Sequence, residues 1–130
     1  MLFGFPIRPH DYKMRNFMRA AWMRQALLQY AEERNTIFPE HNGSFPKRLT
    51  ELNLNAIPLE ACRFHDLDTS QEYNWLYYSG YNQQSPPHTI LLASPRMATG
   101  NKRIAVFCDG EVRLMDENAF VDLLSEQINK

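Results

Sequence analysis

Residues 103–115 read RIAVFCDGEVRLM, two runs rich in β-branched and other apolar side chains separated by Asp109-Gly110. Asp-Gly between such runs is hairpin chemistry, because glycine accepts the positive φ that a type I′ turn demands. The stretch is therefore read as two antiparallel strands, 103–108 and 111–115, joined by a two-residue turn at Asp109 and Gly110. In that register Phe107 faces Val112 and Ala105 faces Leu114, so all four side chains share one face, which is expected to be the buried one.

Working outward, 116–129 reads as a C-terminal helix. Asp116 stands at the N-cap, and Phe120, Leu123, Leu124 and Ile128 form one apolar stripe. Upstream, 89–93 is a strand closed by Pro95. Residues 73–78 alternate in the strand sense, with Tyr73, Trp75 and Tyr77 on one face and Asn74, Leu76 and Tyr78 on the other. The main strands thus lie within 73–115, with a further short one near 62–64.

The longest element is a helix over 11–34, which contains neither Gly nor Pro and has Asp11 as its N-cap, after a short extended leader. Met14, Phe17, Met18, Ala21, Leu28 and Ala31 recur at three- and four-residue spacings, Met23, Leu27 and Tyr30 widen the stripe, and Arg15, Arg19 and Gln29 fall elsewhere on the wheel. This is more apolar surface than one small sheet face covers. Trp22, with Arg15 and Arg19, is accordingly the expected contact surface for another subunit. Beyond the helix, Pro39, Asn42, Gly43 and Pro46 punctuate a loop, and a turn over 47–52 is anchored by Leu49 and Leu52.

Helix, then strands, then helix defines an α+β class: an antiparallel meander of three or four strands covered by a long helix, in one domain spanning 1–130. The chain has 130 residues, 44% of them hydrophobic, which suffices for one core. A formal net charge of -1 lacks the basic excess of a nucleic-acid binder, so nucleic acid is not an expected partner. The charge is uneven: Arg8, Lys13, Arg15, Arg19 and Arg24 face only Asp11, whereas 32–72 is mainly acidic. No run approaches the ~18 apolar residues of a membrane span, and the first ten residues lack secretory-signal character, so a soluble chain is expected.

Chemistry is sparse. No GxSxG, P-loop or GxGxxG pattern occurs, and no catalytic residue is assigned. His10, His41, His65 and His88 lack metal-ligand spacing. Asp66 and Asp68 are hard oxygen donors in one loop and the only calcium candidates; no other cofactor is expected. Cys62 and Cys108 can form a disulfide in an oxidising compartment if their Cα atoms lie within ~7 Å. Tyr73, Trp75, Tyr77, Tyr78 and Tyr81 form a candidate platform for sugar or peptide.

Three stretches carry a family resemblance. The helix end Ala26-Leu27-Leu28-Gln29-Tyr30-Ala31 precedes Asn42-Gly43-Ser44-Phe45-Pro46 and then Leu49 and Leu52. An aromatic strand leads to Ile90-Leu91-Leu92-Ala93-Ser94-Pro95. Finally, 103–114 is followed by a helix with Phe120, Leu123 and Leu124. Together they resemble the exported part of bacterial type IV pilin-like proteins of the type II secretion pseudopilin class, especially the prepilin-type processing-associated group. Thr99 and Glu111 stand where that group often has histidines, and its cleavage motif and membrane helix are not in this sequence. The resemblance implies a pilin-like fold, a non-enzymatic structural or assembly role, other pilin-like subunits or secretion-system proteins as partners, and export to the periplasm or cell envelope. Some of its members hold calcium in a loop after the first strands. The alternative is a soluble cell-envelope binding module that uses this fold without polymerising.

Overall fold

The computed structural model describes residues 9–53, 57–98 and 100–129, with side-chain surroundings from residue 15 onward. The side chains of His10, Asp11 and Met14, the leader over 1–8 and Thr99 lie outside the described residues. Helix α1 covers Pro9–Ile37. It is followed by β1 (Arg63–His65), β2 (Glu72–Asn74), β3 (Leu76–Tyr77), β4 (Ile90–Ala93), β5 (Lys102–Phe107), β6 (Val112–Asp116) and α2 (Glu117–Ile128). This is the α+β class expected, although α1 exceeds 11–34 at both ends and Asp11 lies inside it rather than at its cap.

Strands β3, β4, β5 and β6 form an antiparallel meander in that order, while β1 and β2 pair separately. The expected strand over 73–78 is broken at Trp75, so its first half joins β1 and its second half joins β4. Its alternation survives the break. Tyr73, Trp75 and Tyr77 all pack on the core beneath α1, and Tyr78 packs on the opposite side of the sheet.

Strand β5 divides two cores. Ile104 and Val106 join Met23, Leu27 and Ala31 of α1, whereas Ala105 and Phe107 join Ile90, Ala93 and Phe120 of α2. In β4 a bulge between Ile90 and Leu92 sends Leu91 and Leu92 to the same α1 side, so all four residues of that strand are buried. The sheet is thus a middle layer with a helix on each face.

The hairpin register differs from the expected one. Val106 pairs with Val112, Ala105 with Arg113 and Ile104 with Leu114. The Gly110 N–H donates to the Phe107 carbonyl and the Phe107 N–H to that of Glu111, so the loop is Cys108-Asp109-Gly110. Of these three only Gly110 has positive φ, at 89°. The turn is the three-residue form that ends in a left-handed glycine, which spares Asp109 the αL conformation a type I′ turn would impose. Because side chains alternate along a strand, this shift rotates β6 by one face. Phe107 is buried against α2, Val112 is half-buried beneath α1, and Leu114, expected in the core, is 44% exposed.

Helix α2 begins after Asp116, which occupies the N-cap position without a side-chain capping bond. Its first turn is held instead by Arg103, whose Nε and second terminal nitrogen donate to the two Glu117 carboxylate oxygens at 2.5 and 3.0 Å. Phe120 is buried and Leu123 and Leu124 are half-buried, but Ile128 is exposed. Near the other end of α2 the Gln127 carboxamide accepts from the Ile90 N–H at 2.6 Å and donates to the Ile90 carbonyl at 2.9 Å. It supplies a ladder partner beyond the end of β3.

The turn glycine lies under α1, where an added Cβ would stand 3.3 Å from Leu28 Cδ1. Gly110→Ala is expected to destabilise the protein by about 1–2 kcal/mol through its positive φ, measured as a lowered urea midpoint with an unchanged slope.

Candidate functional site

Helix α1 meets the small β1–β2 sheet through polar groups that hydropathy alone places on the wrong side of the helix. Asn16 is fully buried. Its Nδ2 donates to the His65 carbonyl at 2.7 Å and its Oδ1 accepts from the His65 N–H at 3.0 Å, so one side chain satisfies the outer edge of β1. One turn on, Arg19 donates to the Arg63 carbonyl at 3.0 Å and to Glu72 Oε1 at 2.8 Å. Glu72 also shares a hydrogen bond with His65 Nδ1 across the strand pair. The basic start of α1 and the acidic stretch after it therefore neutralise one another here.

Of the three residues expected to form an interaction surface, Arg19 is only 8% exposed: it anchors α1 on the β1–β2 pair and lines the floor of a cleft beside it. Arg15 and Trp22 do lie on the outer side, and with Met18 they line a cleft of about 720 Å³ whose opposite wall is Pro58, Glu60 and Ala61. Met18, assigned to the core stripe by spacing, is 57% exposed, and Leu59 beside the far wall is 81% exposed. The spacings 15, 18 and 22 put all three side chains on one ridge of the helix.

The other sequence candidates are occupied structurally. Asp66 is 2% exposed; its Oδ1 accepts from the Asp68 N–H, and its Oδ2 accepts from the Thr69 hydroxyl and pairs with Arg96 at 3.2 Å. Arg96 thus supplies the positive charge beside Asp66, while Asp68 is exposed. Among the described residues no group of three or more His, Cys, Asp or Glu side chains is placed to hold a metal ion. Cys62 and Cys108 are free thiols, so the bridge the sequence allowed is not formed. Burial pushes both thiols up, that of Cys108 to about 11, away from the thiolate a nucleophile requires. His41 stacks on Phe38, and His88 meets the Phe107 ring edge-on.

Two of the aromatic residues turn their polar edges inward, while the Tyr73 hydroxyl accepts from Arg96 at the surface. Trp75 Nε1 donates to the Ala61 carbonyl at 2.9 Å, and the Tyr77 hydroxyl donates to the Pro46 carbonyl at 2.5 Å. Burial raises the Tyr77 pKa strongly. Pro46 and Phe45 are buried, so the NGSFP segment packs as core after a left-handed Asn42-Gly43 pair. At Gly43, with φ of 68°, a Cβ would be strained and would have to push the Gln83 side chain aside from 2.1 Å.

No family model matches this chain, and neither a curated protein nor a solved structure does. Among the described residues no helix is long and apolar enough to cross a membrane.

Two measurements follow from the α1 junction. Asn16→Leu strands the buried His65 N–H and carbonyl, and denaturant unfolding should show a loss of about 2–4 kcal/mol. For Glu72, desolvation pushes the carboxyl up, but hydrogen bonds from Arg19 and His65 outweigh it and the pKa ends below the ordinary 4.5. A carboxylate depressed on folding contributes stability above its unfolded pKa and loses that contribution as pH falls through its folded one. Glu72→Gln should therefore be less stable than the natural chain at pH 7, by about 1 kcal/mol or less because the pair is partly exposed. The two unfolding curves should converge below the folded pKa of Glu72.

Proposed function

We propose that this protein is a non-enzymatic assembly module, resembling the exported domain of a pseudopilin from a type II secretion or type IV pilus-like system and working in the cell envelope. The observation that carries the reading is the double character of α1. One face is buried on the four-stranded meander and the β1–β2 pair, while Arg15, Met18 and Trp22 form an outer ridge with an exposed methionine at its centre. An apolar ridge flanked by charge is the composition of a subunit contact, in which a methionine adapts to its partner and an aromatic and an arginine anchor it. Support also comes from how the polar groups elsewhere are used. His65, Glu72, Asp66 and Arg103 hold helices and loops in place, and the Cys108 thiol is buried.

The test replaces Met18 with a photo-crosslinking residue in the full chain, expressed in the source cell, with Ser125 on α2 as control position. Adducts at Met18 to another copy or to a different pilin-like subunit, absent at Ser125, are expected. Adducts at neither position, or equally at both, would favour a module that does not polymerise. Met18→Ser should weaken the adduct-forming association while changing stability by less than about 0.5 kcal/mol, since Met18 is largely exposed.

A further inference from the structure

Toward the other end of α1, away from the Met18 ridge, a second cleft of about 420 Å³ opens beside Tyr30 and Arg34, with Phe45, Lys47 and Tyr81 on its walls. This volume falls in the ~300–1,000 Å³ range of small-ligand sites. Its charged lining is Arg34, Lys47 and Glu51. Glu51 is already engaged: Oε1 accepts from the Tyr30 hydroxyl at 3.2 Å and Oε2 from the Arg48 N–H at 3.0 Å. Neither Arg34 nor Lys47 forms an ion pair with any described residue.

Arg34 is held without being satisfied. Its guanidinium carbon lies 4.8 Å from the centre of the Phe38 ring and 6.0 Å from that of Tyr30, and its Nε is buried with no hydrogen-bond partner. Aromatic faces fix the orientation of the cation but take none of its N–H donors. A planar fork fixed in this way, with a second cation on the same wall, is built to receive an oxyanion.

We propose that this cleft binds a monocarboxylate carried on an apolar or aromatic body. Two cations and one carboxylate leave the lining at +1, which matches a single carboxylate, whereas a dianionic phosphate would bring excess charge against Glu51. The fork geometry suits a planar carboxylate, and the half-buried rings of Tyr30 and Tyr81 offer apolar surface to the body that carries it. The carboxylate can belong to a free small acid or to the C-terminus of a peptide; both present the same group. This inference does not rest on the assembly reading, since it uses a different part of α1.

The experiment titrates the full chain, isotope-labelled for amide NMR, with N-acetyl-phenylalanine, with a tetrapeptide ending in phenylalanine, and with the C-terminal amide of each. Saturable shifts centred on Tyr30, Arg34, Lys47 and Tyr81 are expected with the acids, and about tenfold weaker binding with the amides. Tighter binding of the tetrapeptide assigns the site to peptide ends, and exclusion of the tetrapeptide assigns it to small acids. Lys47→Gln, an exposed substitution that leaves the fold intact, should weaken the acids by about fivefold and leave the amides unchanged; Arg34→Gln should do the same more strongly. Equal binding of acid and amide, shifts centred elsewhere, no saturable shift with any probe, or indifference to both substitutions would overturn the proposal.

Discussion

Strand β5 is buried on both faces, and most of the architecture answers that requirement. Ile104 and Val106 need an apolar cover on one side, and Ala105 and Phe107 need one on the other. A single helix can serve only one of them, so the chain places α1 before the meander and α2 after it. The bulge in β4 belongs to the same solution, since it turns Leu91 and Leu92 together toward the α1 side, where the larger core lies. Burial of apolar area drives both helices onto the sheet but does not fix where along it they sit.

Position is fixed by polar groups, and both helices use the same two devices. A carboxamide grips the N–H and carbonyl of one strand residue, Asn16 on His65 and Gln127 on Ile90. An arginine then holds a glutamate across the junction, Arg19 to Glu72 and Arg103 to Glu117. Such groups are costly when buried unless their partners are met at the right distance, so a helix shifted by one residue would lose them. They contribute orientation more than net stability.

This use of polar chemistry leaves two clefts beside α1 with different properties. The first combines exposed methionine, half-buried tryptophan and arginine, and suits another protein surface. The second is a cationic pocket with ring-held Arg34 and suits a small anionic group. They sit at separate ends of one rigid helix, so substitutions at one should act independently of the other.

The local chain determined what it could determine locally. The α+β order, the hairpin around Asp109 and Gly110, the C-terminal helix with Phe120 and the alternation that puts Tyr73, Trp75 and Tyr77 on one face all follow from period and turn chemistry, and they hold. The hairpin register did not follow, because Asp-Gly serves either a two- or a three-residue loop, and the cost of a left-handed Asp109 selects the longer one. That one-residue shift turned Leu114 to the α1 face of the edge strand β6, where it stays 44% exposed. The burial of Arg19 was not legible for a related reason: hydropathy puts a charge outside, and only tertiary structure brings Arg63 and Glu72, more than forty positions away, to receive it. Asn16 and Arg34 gave no signal in the sequence, because what distinguishes them is a strand edge in one case and two aromatic faces in the other, and neither exists until the chain has folded.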